Sequence, residues 1–439
     1  MSRYATTRGG PAVELAEAVF RGLAPDGGLY VPEELSRLPD PAVAAPLGMG
    51  AEWGRVPAEF VRAARWAAPT FFPSVEGELL DRVVQRALRF PAPIVEVEAG
   101  CFVLELFHGP TLAFKDVGAR FMASLMPVLD GPQARALPPR TVLVATSGDT
   151  GGAVASAFHG IAGYRVVVLF PFGGVSERQR RQMTTLGGNV QAVAVDGSFD
   201  DCQRLAKAAF ADPKLSEAHR LTSANSINVA RLLPQAFYYV HAALTLGSVH
   251  FVVPSGNLGN LCAGLLAARA GMPVAGFTAA VNANRAFSDF LLGAPFRPRA
   301  SVRTASSAMD VGDPSNLERI RWLYGGDDAR LRRDVHGVSV QDEQAARCIR
   351  DVHDRTGYVM DPHTAVAYEA MLRRGAVDDG VSRVVLSTAH PAKFPETVET
   401  AIGRGVAVPA SLERVRHAEE HMIHIEPAEA ALARALEPS

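Results

Sequence analysis

Lysine is scarce in this chain of 439 residues. Among its 44 basic residues only Lys115, Lys207, Lys214 and Lys393 are lysines, and the rest are arginines. Where a plain positive charge is enough, this sequence therefore uses arginine. A guanidinium cannot replace an amine that must form an imine with an aldehyde. The scarcity limits the candidates for such chemistry to four residues without choosing among them.

Cysteines and runs of like charge are also few. The four cysteines are far apart and show no metal-ligand spacing, which predicts reduced thiols, a cytoplasmic protein and no metal site. The net charge is −2, and no basic run alternates with aromatic residues, which argues against a nucleic-acid partner. No GxxxxGK[ST] run is present, which argues against a nucleotide site. The first ten residues lack the apolar core of a signal peptide.

Asp, Glu, Lys and Arg are absent from residues 232–268, so a membrane span has to be considered. That stretch contains Pro234, Gly247, Pro254 and Gly256, which would leave main-chain groups unpaired in lipid. We therefore predict a buried helix, a buried strand and a tight turn there, and no membrane contact.

Strand and helix patterns alternate from about residue 95 onward. TVLVAT and RVVVLF are typical of buried strands, and a helical pattern follows each of them. This alternation predicts an α/β fold with helices on both faces of parallel sheets and ligands at the carboxyl ends of strands. The length predicts two or three domains. We divide the chain approximately into 1–95 with short helices and loops, 96–235 as a smaller α/β domain, and 236–439 as a larger one.

Two strand-to-helix turns are candidates for ligand binding. In HFVVPSGNLGNLCAGLLAARAG, residues 250–271, glycines allow close approach of the main chain, and the helix start offers free N–H groups to a phosphate. In TVLVATSGDTGGAVASAF, residues 141–158, hydroxyls and helix-start amides are suited to a substrate carboxylate. A capped turn without a ligand remains the alternative for each.

The segment LELFHGPTLAFKDVGARF, residues 104–121, places Lys115 after apolar residues at the start of a predicted helix. Burial and the positive end of a helix both disfavour an ammonium, so we expect a lowered pKa for this amine. A neutral amine is what an imine to an aldehyde cofactor requires. A solvated surface lysine is the alternative.

The segment RVVLSTAHPAKFPETVE, residues 383–399, places Thr388 at the end of a strand, where its hydroxyl can meet a buried polar ring atom. Lys393 is the rival imine former. It follows Pro391 in a predicted loop, so we interpret it as a structural or substrate-side residue.

These segments resemble the threonine synthase family, which belongs to the tryptophan-synthase-β-like (fold type II) pyridoxal-phosphate enzymes. The resemblance covers nearly the whole chain. It rests on the following motifs in this order: TTRGG, GLAPDGGLYVP, FHGPTLAFKD, TSGDTG, NSINVARLLPQ, SGNLGN, SSAMDVGDPSNLERI, DPHTAVAY and STAHPAKFPE. It implies two parallel-sheet α/β domains around a central cofactor cleft, preceded by an N-terminal helical and loop segment.

The resemblance also implies the roles of individual residues. Lys115 bonds to pyridoxal 5′-phosphate, Thr388 contacts the pyridine nitrogen, and Asp149 stands where many relatives have an asparagine near the ring hydroxyl. The cofactor phosphate is held by the loop of Gly256, Asn257, Leu258, Gly259 and Asn260. The residues expected to bind substrate are Ser147, Thr150, Ser226, Asn228, Arg231 and, for the substrate phosphate, Arg120. Val229 and Leu258 depart from the aromatic residues common in the family.

The reaction implied is the conversion of O-phospho-L-homoserine and water to L-threonine and phosphate, by γ-elimination and β-addition. The alternative within the same chemistry is a paralogous lyase or β/γ-substitution enzyme acting on a similar phosphorylated amino acid. A binding or regulatory protein without catalysis is a third possibility, which the combination of Lys115, the glycine loop and Thr388 disfavours. We expect a monomer or homodimer.

Overall fold

The computed structural model describes residues 3–40, 58–374 and 380–437. Their contacts form two compact units. Unit 1 comprises the described residues within Met1–Glu33, Lys115–Arg231 and Val408–Ser439, and unit 2 those within Glu34–Phe114 and Leu232–Ala407. Each unit therefore combines stretches that are distant in sequence.

The strands and helices are numbered in chain order. The strands are β1 (Arg3–Thr6), β2 (Val13–Glu14), β3 (Tyr30–Pro32), β4 (Ile94–Glu98), β5 (Cys101–Glu105), β6 (Arg140–Ala145), β7 (Tyr164–Pro171), β8 (Val190–Val195), β9 (Thr222–Ser223), β10 (Val249–Pro254), β11 (Val274–Val281), β12 (Val335–Ser339), β13 (Arg383–Ser387) and β14 (Met422–Ile425). The helices are α1 (Leu15–Arg21), α2 (Ala58–Phe71), α3 (Gly77–Ala87), α4 (Lys115–Asp130), α5 (Asp149–Phe158), α6 (Glu177–Thr184), α7 (Phe199–Ala211), α8 (Pro213–Ala218), α9 (Val229–Leu232), α10 (Ala236–Leu246), α11 (Gly259–Arg269), α12 (Ala286–Leu291), α13 (Leu317–Leu323), α14 (Asp328–Asp334), α15 (Asp342–Thr356), α16 (Pro362–Arg373), α17 (Pro395–Ile402), α18 (Ala410–Arg416) and α19 (Glu429–Leu436).

Unit 1 is built on a parallel sheet with strand order β14-β8-β7-β6-β9. Strands β6, β7 and β8 are mostly apolar and almost entirely buried, as expected where both faces of a parallel sheet are covered. Helices α7 and α19 pack on one face, where Cys202, Leu205 and Leu432 meet Leu143 and Val193. A small antiparallel sheet, β2-β1-β3, belongs to the same unit.

Unit 2 contains a six-stranded sheet with the order β12-β11-β10-β13-β5-β4. All neighbouring strands are parallel except β4, which pairs with β5 in the antiparallel direction. Helices α15, α16 and α17 cover one face with apolar residues that include Ile349, Tyr368 and Val398. Strands β10 and β13 are neighbours in the middle of this sheet, so the segments that follow them emerge at the same edge.

The segment without Asp, Glu, Lys or Arg forms α10, β10, a tight turn and most of α11. The buried helix, the buried strand and the turn predicted from the sequence are therefore confirmed. No helix among the described residues combines the length and the apolar composition that a membrane crossing needs.

Two features of the fold lie outside the sequence-based predictions. The N-terminal segment forms the antiparallel strands β1 to β3 in addition to helices and loops, and these strands are too short for a periodic pattern. The compact units group β4 and β5 with the later strands, and β14 with the earlier ones. The three consecutive domains with boundaries near residues 95 and 235 stay a prediction.

Candidate active site

The candidate lysine is the first residue of α4 in unit 1, as the sequence predicts. Its Nζ lies 3.4 Å from Oδ2 of Asp149, the first residue of α5, and the two side chains are 15% and 2% exposed. The other carboxylate oxygen of Asp149 accepts a hydrogen bond from Nε2 of Gln179 at 3.0 Å. The surroundings of Lys115 therefore include a buried carboxylate in addition to the apolar residues that precede it in the sequence.

The segment that leads to this lysine is fixed within unit 2. The amide of Phe114 donates to the carbonyl oxygen of Thr388 at 2.9 Å, and the amide of His390 donates to the carbonyl oxygen of Leu112 at 3.1 Å. Leu112 adopts φ of 59°, a left-handed conformation that is unfavourable for leucine. Thr388 directly follows β13 and is buried. The main chain immediately before Lys115 is thus tied to the segment that carries Thr388.

The rival lysine, Lys393, has a structural contact in unit 2. It is buried in a 3₁₀ turn, Pro391–Lys393, and its Nζ donates to the carbonyl oxygen of Thr111 at 2.9 Å. This bond fixes the segment that precedes Lys115.

The TSGDTG turn in unit 1 connects β6 to α5. The Thr146 hydroxyl accepts hydrogen bonds from the amides of Gly148 and Gly151, both at 2.9 Å, which closes the turn. Gly148 has φ of 136°, and a Cβ there would lie 2.5 Å from the side chain of Gln179, so only glycine fits. The side chains of Ser147 and Thr150 are half-buried at the start of α5.

The NSINVAR segment places two predicted substrate residues in the interior of unit 1. Nδ2 of Asn228 donates to the carbonyl oxygens of Val19 and Ser223, both at 2.8 Å, and its Oδ1 accepts from the amide of Ala230. Arg231 is buried and donates to the carbonyl oxygen of Ala224. Burial lowers the pKa of Arg231 to about 10, an effect opposed by Asp116. The contacts described for both side chains support the protein's own main chain.

Arg120, also predicted for substrate binding, lies in α4 and is half-buried. It follows Lys115 by five residues, which corresponds to a rotation of about 140° around an α-helix axis. The two side chains therefore leave the helix in different directions. Ser226 lies two residues before Asn228 and is half-buried.

The glycine loop of unit 2 connects β10 to α11. A Cβ on Gly256 would lie 2.8 Å from Cα of Met309 and 3.0 Å from the carbonyl oxygen of Ala308, so a side chain is excluded. Leu258 adopts φ of 60° at the N-cap of α11, which turns the chain sharply into the helix. Asn257 is held by Ser315, whose amide donates to its Oδ1 at 2.6 Å.

One polar atom of this loop is buried without a hydrogen-bond partner in the part of the chain that the structure describes. It is Nδ2 of Asn260, the second residue of α11. A buried amide donor at the positive end of a helix is suited to an anion, and an unmet donor would otherwise be costly. The loop therefore fits the phosphate of pyridoxal phosphate.

Several residues around these loops were not assigned a role from the sequence. Gln179 contacts Asp149 and also closes a capping box with Ser176. The spacing S-x-x-Q in SERQ indicates the capping box, but it does not indicate the contact with Asp149. Asp361 caps α16 and accepts from Nδ1 of His363 at 2.6 Å. Nε2 of His363 in turn accepts from the amide of Ala308 at 3.2 Å, which supports the turn packed against Gly256.

Comparison with known proteins identifies the class of this fold and site. A family model described as pyridoxal-phosphate dependent enzyme matches residues 87–388. Models for the N terminus and the C-terminal part of threonine synthase match residues 3–49 and 364–436. The chain is a pyridoxal-phosphate-dependent enzyme of fold type II.

Similarity extends over the whole length of individual relatives. Threonine synthase of Serratia marcescens is 42% identical over 406 residues, which cover 91% of this chain and 90% of that protein. The crystal structure of threonine synthase from Escherichia coli matches with a TM-score of 0.88 at 38% identity, over 99% of both chains. The PLP-bound threonine synthase from Brucella melitensis matches with the same TM-score at 34% identity, over 99% of both chains. The chain belongs to the threonine synthase family.

These findings confirm the fold class, the enzyme class and the cofactor that the sequence predicts. The predicted roles of individual residues, the oligomeric state and the cytoplasmic location stay predictions.

Proposed function

We propose that this chain converts O-phospho-L-homoserine and water to L-threonine and phosphate. Membership of the threonine synthase family over the full length supports this reaction. The observation that carries most weight in the structure is the pairing of Lys115 with Asp149 at the starts of two helices. A half-buried amine next to a buried carboxylate is typical of a reactive lysine rather than a solvated one.

Lys115 is the residue that we propose to bond to the cofactor aldehyde and later to move protons on the substrate. Pyridoxal phosphate, when bound, withdraws electrons from the carbon next to the substrate nitrogen and so makes its proton removable. The freed Lys115 amine takes that proton at Cα, and it is suited to proton transfer at Cβ and Cγ as well. The Asp149 carboxylate holds the amine in position between these transfers. Its position in the family motif is the one where many relatives have an asparagine, which would face the ring hydroxyl of the bound cofactor.

Two further sets of contacts to the cofactor are proposed. We propose that residues 256–260 hold the phosphate through main-chain amides and the Asn260 side chain. The Thr388 hydroxyl is proposed to meet the pyridine nitrogen. A hydroxyl, unlike a carboxylate, supplies no charge that would keep this nitrogen protonated, which suits elimination better than transamination.

Substrate contacts are proposed for the polar side chains at the loops of unit 1. Ser147 lies in the turn before α5 and Thr150 is the second residue of α5, where hydroxyls and helix-start amides can hold a carboxylate. Ser226 and Arg120 are proposed for the substrate, with Arg120 at its phosphate. For Asn228 and Arg231, which the family suggests as substrate residues, the contacts with Val19 and Ala224 support a role in holding the segment of Ser226 in place.

The first experiment is product analysis. Purified protein with pyridoxal phosphate is incubated with O-phospho-L-homoserine, and the amino acid and phosphate released are identified. Threonine formed in equal amount to phosphate supports the proposal. A keto acid, or a product formed only with an added nucleophile, would instead identify a paralogous lyase or substitution enzyme.

The Lys115→Ala variant is expected to lose the visible absorbance of the bound cofactor. Its rate of phosphate release should fall by a factor of about a thousand or more. The matched control is Lys207→Ala, because Lys207 is exposed in α7, and this variant should keep both properties. If Lys115→Ala retains the absorbance, the role passes to Lys393.

A further inference from the structure

Two buried tyrosines of α10 contact the amide of Asn260 in unit 2. The hydroxyls of Tyr238 and Tyr239 lie 2.6 and 2.7 Å from Oδ1 of Asn260. Both tyrosines are fully buried. Helices α10 and α11 pack directly against each other, which brings the two hydroxyls to Asn260. One oxygen of the amide thus has two partners, whereas Nδ2 on the other side has none among the described residues.

The direction of these hydrogen bonds follows from the chemistry of the groups. Burial raises the pKa of both tyrosines well above the usual value, so both hydroxyls keep their protons and can donate. The opposite orientation of the Asn260 amide would direct Nδ2 to the tyrosine oxygens and leave Oδ1 at the loop. A buried oxygen facing an anion is repelled, whereas an N–H group facing it forms a charge-assisted hydrogen bond.

We propose that Tyr238 and Tyr239 are positioning residues that lock the Asn260 side chain with its NH₂ group towards the phosphate of the cofactor. The inference rests on the proposed role of the glycine loop in phosphate binding. Locking matters because an asparagine side chain has a broad, nearly two-fold torsion at its amide. Without the two hydroxyls the amide must be ordered when the anion binds, which weakens binding.

The test compares pyridoxal phosphate with pyridoxal, which lacks the phosphate. Dissociation constants of both are measured by absorbance titration of the cofactor-free protein. Tyr238→Phe and Tyr239→Phe each remove one hydroxyl and keep the ring. Each should raise the dissociation constant of pyridoxal phosphate about threefold to tenfold. Pyridoxal affinity should change less than about twofold. A general loss of structure would lower the affinity for both ligands alike.

A double-mutant cycle with Asn260→Ala identifies the group through which the tyrosines act. Asn260→Ala alone should raise the dissociation constant of pyridoxal phosphate about tenfold to one hundredfold. In this background Tyr238→Phe should have no further effect on pyridoxal phosphate. The matched control is Tyr368→Phe, a fully buried tyrosine of the same unit whose hydroxyl donates to Glu98 at 2.6 Å, and it should leave both affinities unchanged.

The outcomes separate two failures. The positioning role is overturned if Tyr238→Phe lowers pyridoxal phosphate affinity equally in the original protein and in Asn260→Ala, or if it lowers the affinity for both ligands equally. Either result leaves the proposed phosphate loop intact. No loss of pyridoxal phosphate affinity in Asn260→Ala overturns the proposed phosphate contact of Asn260, and the positioning role with it. Should Tyr238→Phe fail to fold, Tyr239→Phe tests the same inference, because its hydroxyl contacts the same oxygen.

Discussion

His390 is a largely buried histidine that caps the 3₁₀ turn after Thr388. Its Nδ1 accepts a hydrogen bond from the amide of Ala392 at 3.1 Å, which requires the neutral ring. Its pKa is lowered from 6.5 to about 4, chiefly by burial and then by the neighbouring His108 and Lys393, whereas Glu105 and Asp361 act in the opposite direction. The folded protein therefore holds this ring uncharged at pH values where the unfolded chain protonates it.

The sign of the resulting pH dependence follows directly. Between the unfolded pKa of 6.5 and the folded pKa of about 4, the unfolded chain binds more protons, so stability falls as the pH falls through this window. The ring is partly exposed, so we expect a loss of about 1–2 kcal/mol rather than the full effect of the shift. His390→Asn, which keeps an acceptor for Ala392, should lose correspondingly less stability between pH 7 and pH 4.5.

Urea unfolding at several pH values measures this difference. His417→Asn, at an exposed histidine, is the control and should follow the original protein. A profile of His390→Asn that coincides with that of the original protein would contradict the assignment.

At the candidate site, the sequence predicts which residue types are present but not all of their partners. Lys115 was expected at a helix start, and the structure has it there. Its pairing with Asp149 depends on contacts between segments 34 residues apart, which no local pattern contains. Asn228 resembles a substrate residue in its motif, yet its amide bonds to Val19, 209 residues away in sequence.

At the scale of elements, α4 approaches its neighbour unusually closely one turn after Lys115. A Cβ on Gly118 would overlap the carbonyl oxygen of Arg231 and lie 3.3 Å from the carbonyl carbon. The obstacle is main chain, which cannot rotate away as a side chain can. The close contact of α4 with the α9 segment therefore depends on glycine.

Gly118→Ala should lower the free energy of unfolding by about 1–3 kcal/mol, because the helix must shift or the Arg231 segment must move. In an open helix position the same change is stabilising by about 0.5–1 kcal/mol. Gly152→Ala in α5 is the matched control, since its Cβ would lie at an ordinary 3.4 Å from Cβ of Gln182. Chemical unfolding of the two variants checks this, and equal behaviour would show that α4 is less tightly packed than described.

Long, regular elements could be predicted from the sequence and short ones could not. The strand patterns of β6, β7 and β10 are continuous apolar runs, and the structure has a strand at each. Strands β2 and β9 have only two residues each, too few for any periodicity. The antiparallel direction of β4 was also missed, although the sequence contains its signal: only Ala99 and Gly100 separate β4 from β5, and a parallel pair needs a much longer connection.

At the scale of the whole molecule, both ends of the chain contribute to unit 1. Strand β14 extends the sheet beside β8, and α19 packs its apolar face on α7. The end of α19 is held by Arg165 of β7, whose guanidinium donates to the carbonyl oxygens of Ala435 and Glu437 at 3.1 and 3.2 Å. Alternation of strands and helices predicts an α/β fold, but it does not predict which distant segment adds the edge strand.

Because the C-terminal helix completes this core, a cavity there should destabilise strands encoded more than 200 residues earlier. Leu436→Ala, at a fully buried position, should lower the free energy of unfolding of unit 1 by about 2–5 kcal/mol. Arg434→Ala, exposed in the same turn of α19, should change it by no more than about 0.5 kcal/mol. Hydrogen exchange of the β8 amides measures the effect, since β8 lies between β14 and β7 in the sheet. Unchanged protection of β8 in Leu436→Ala would mean that α19 unfolds separately and that unit 1 is complete without the end of the chain.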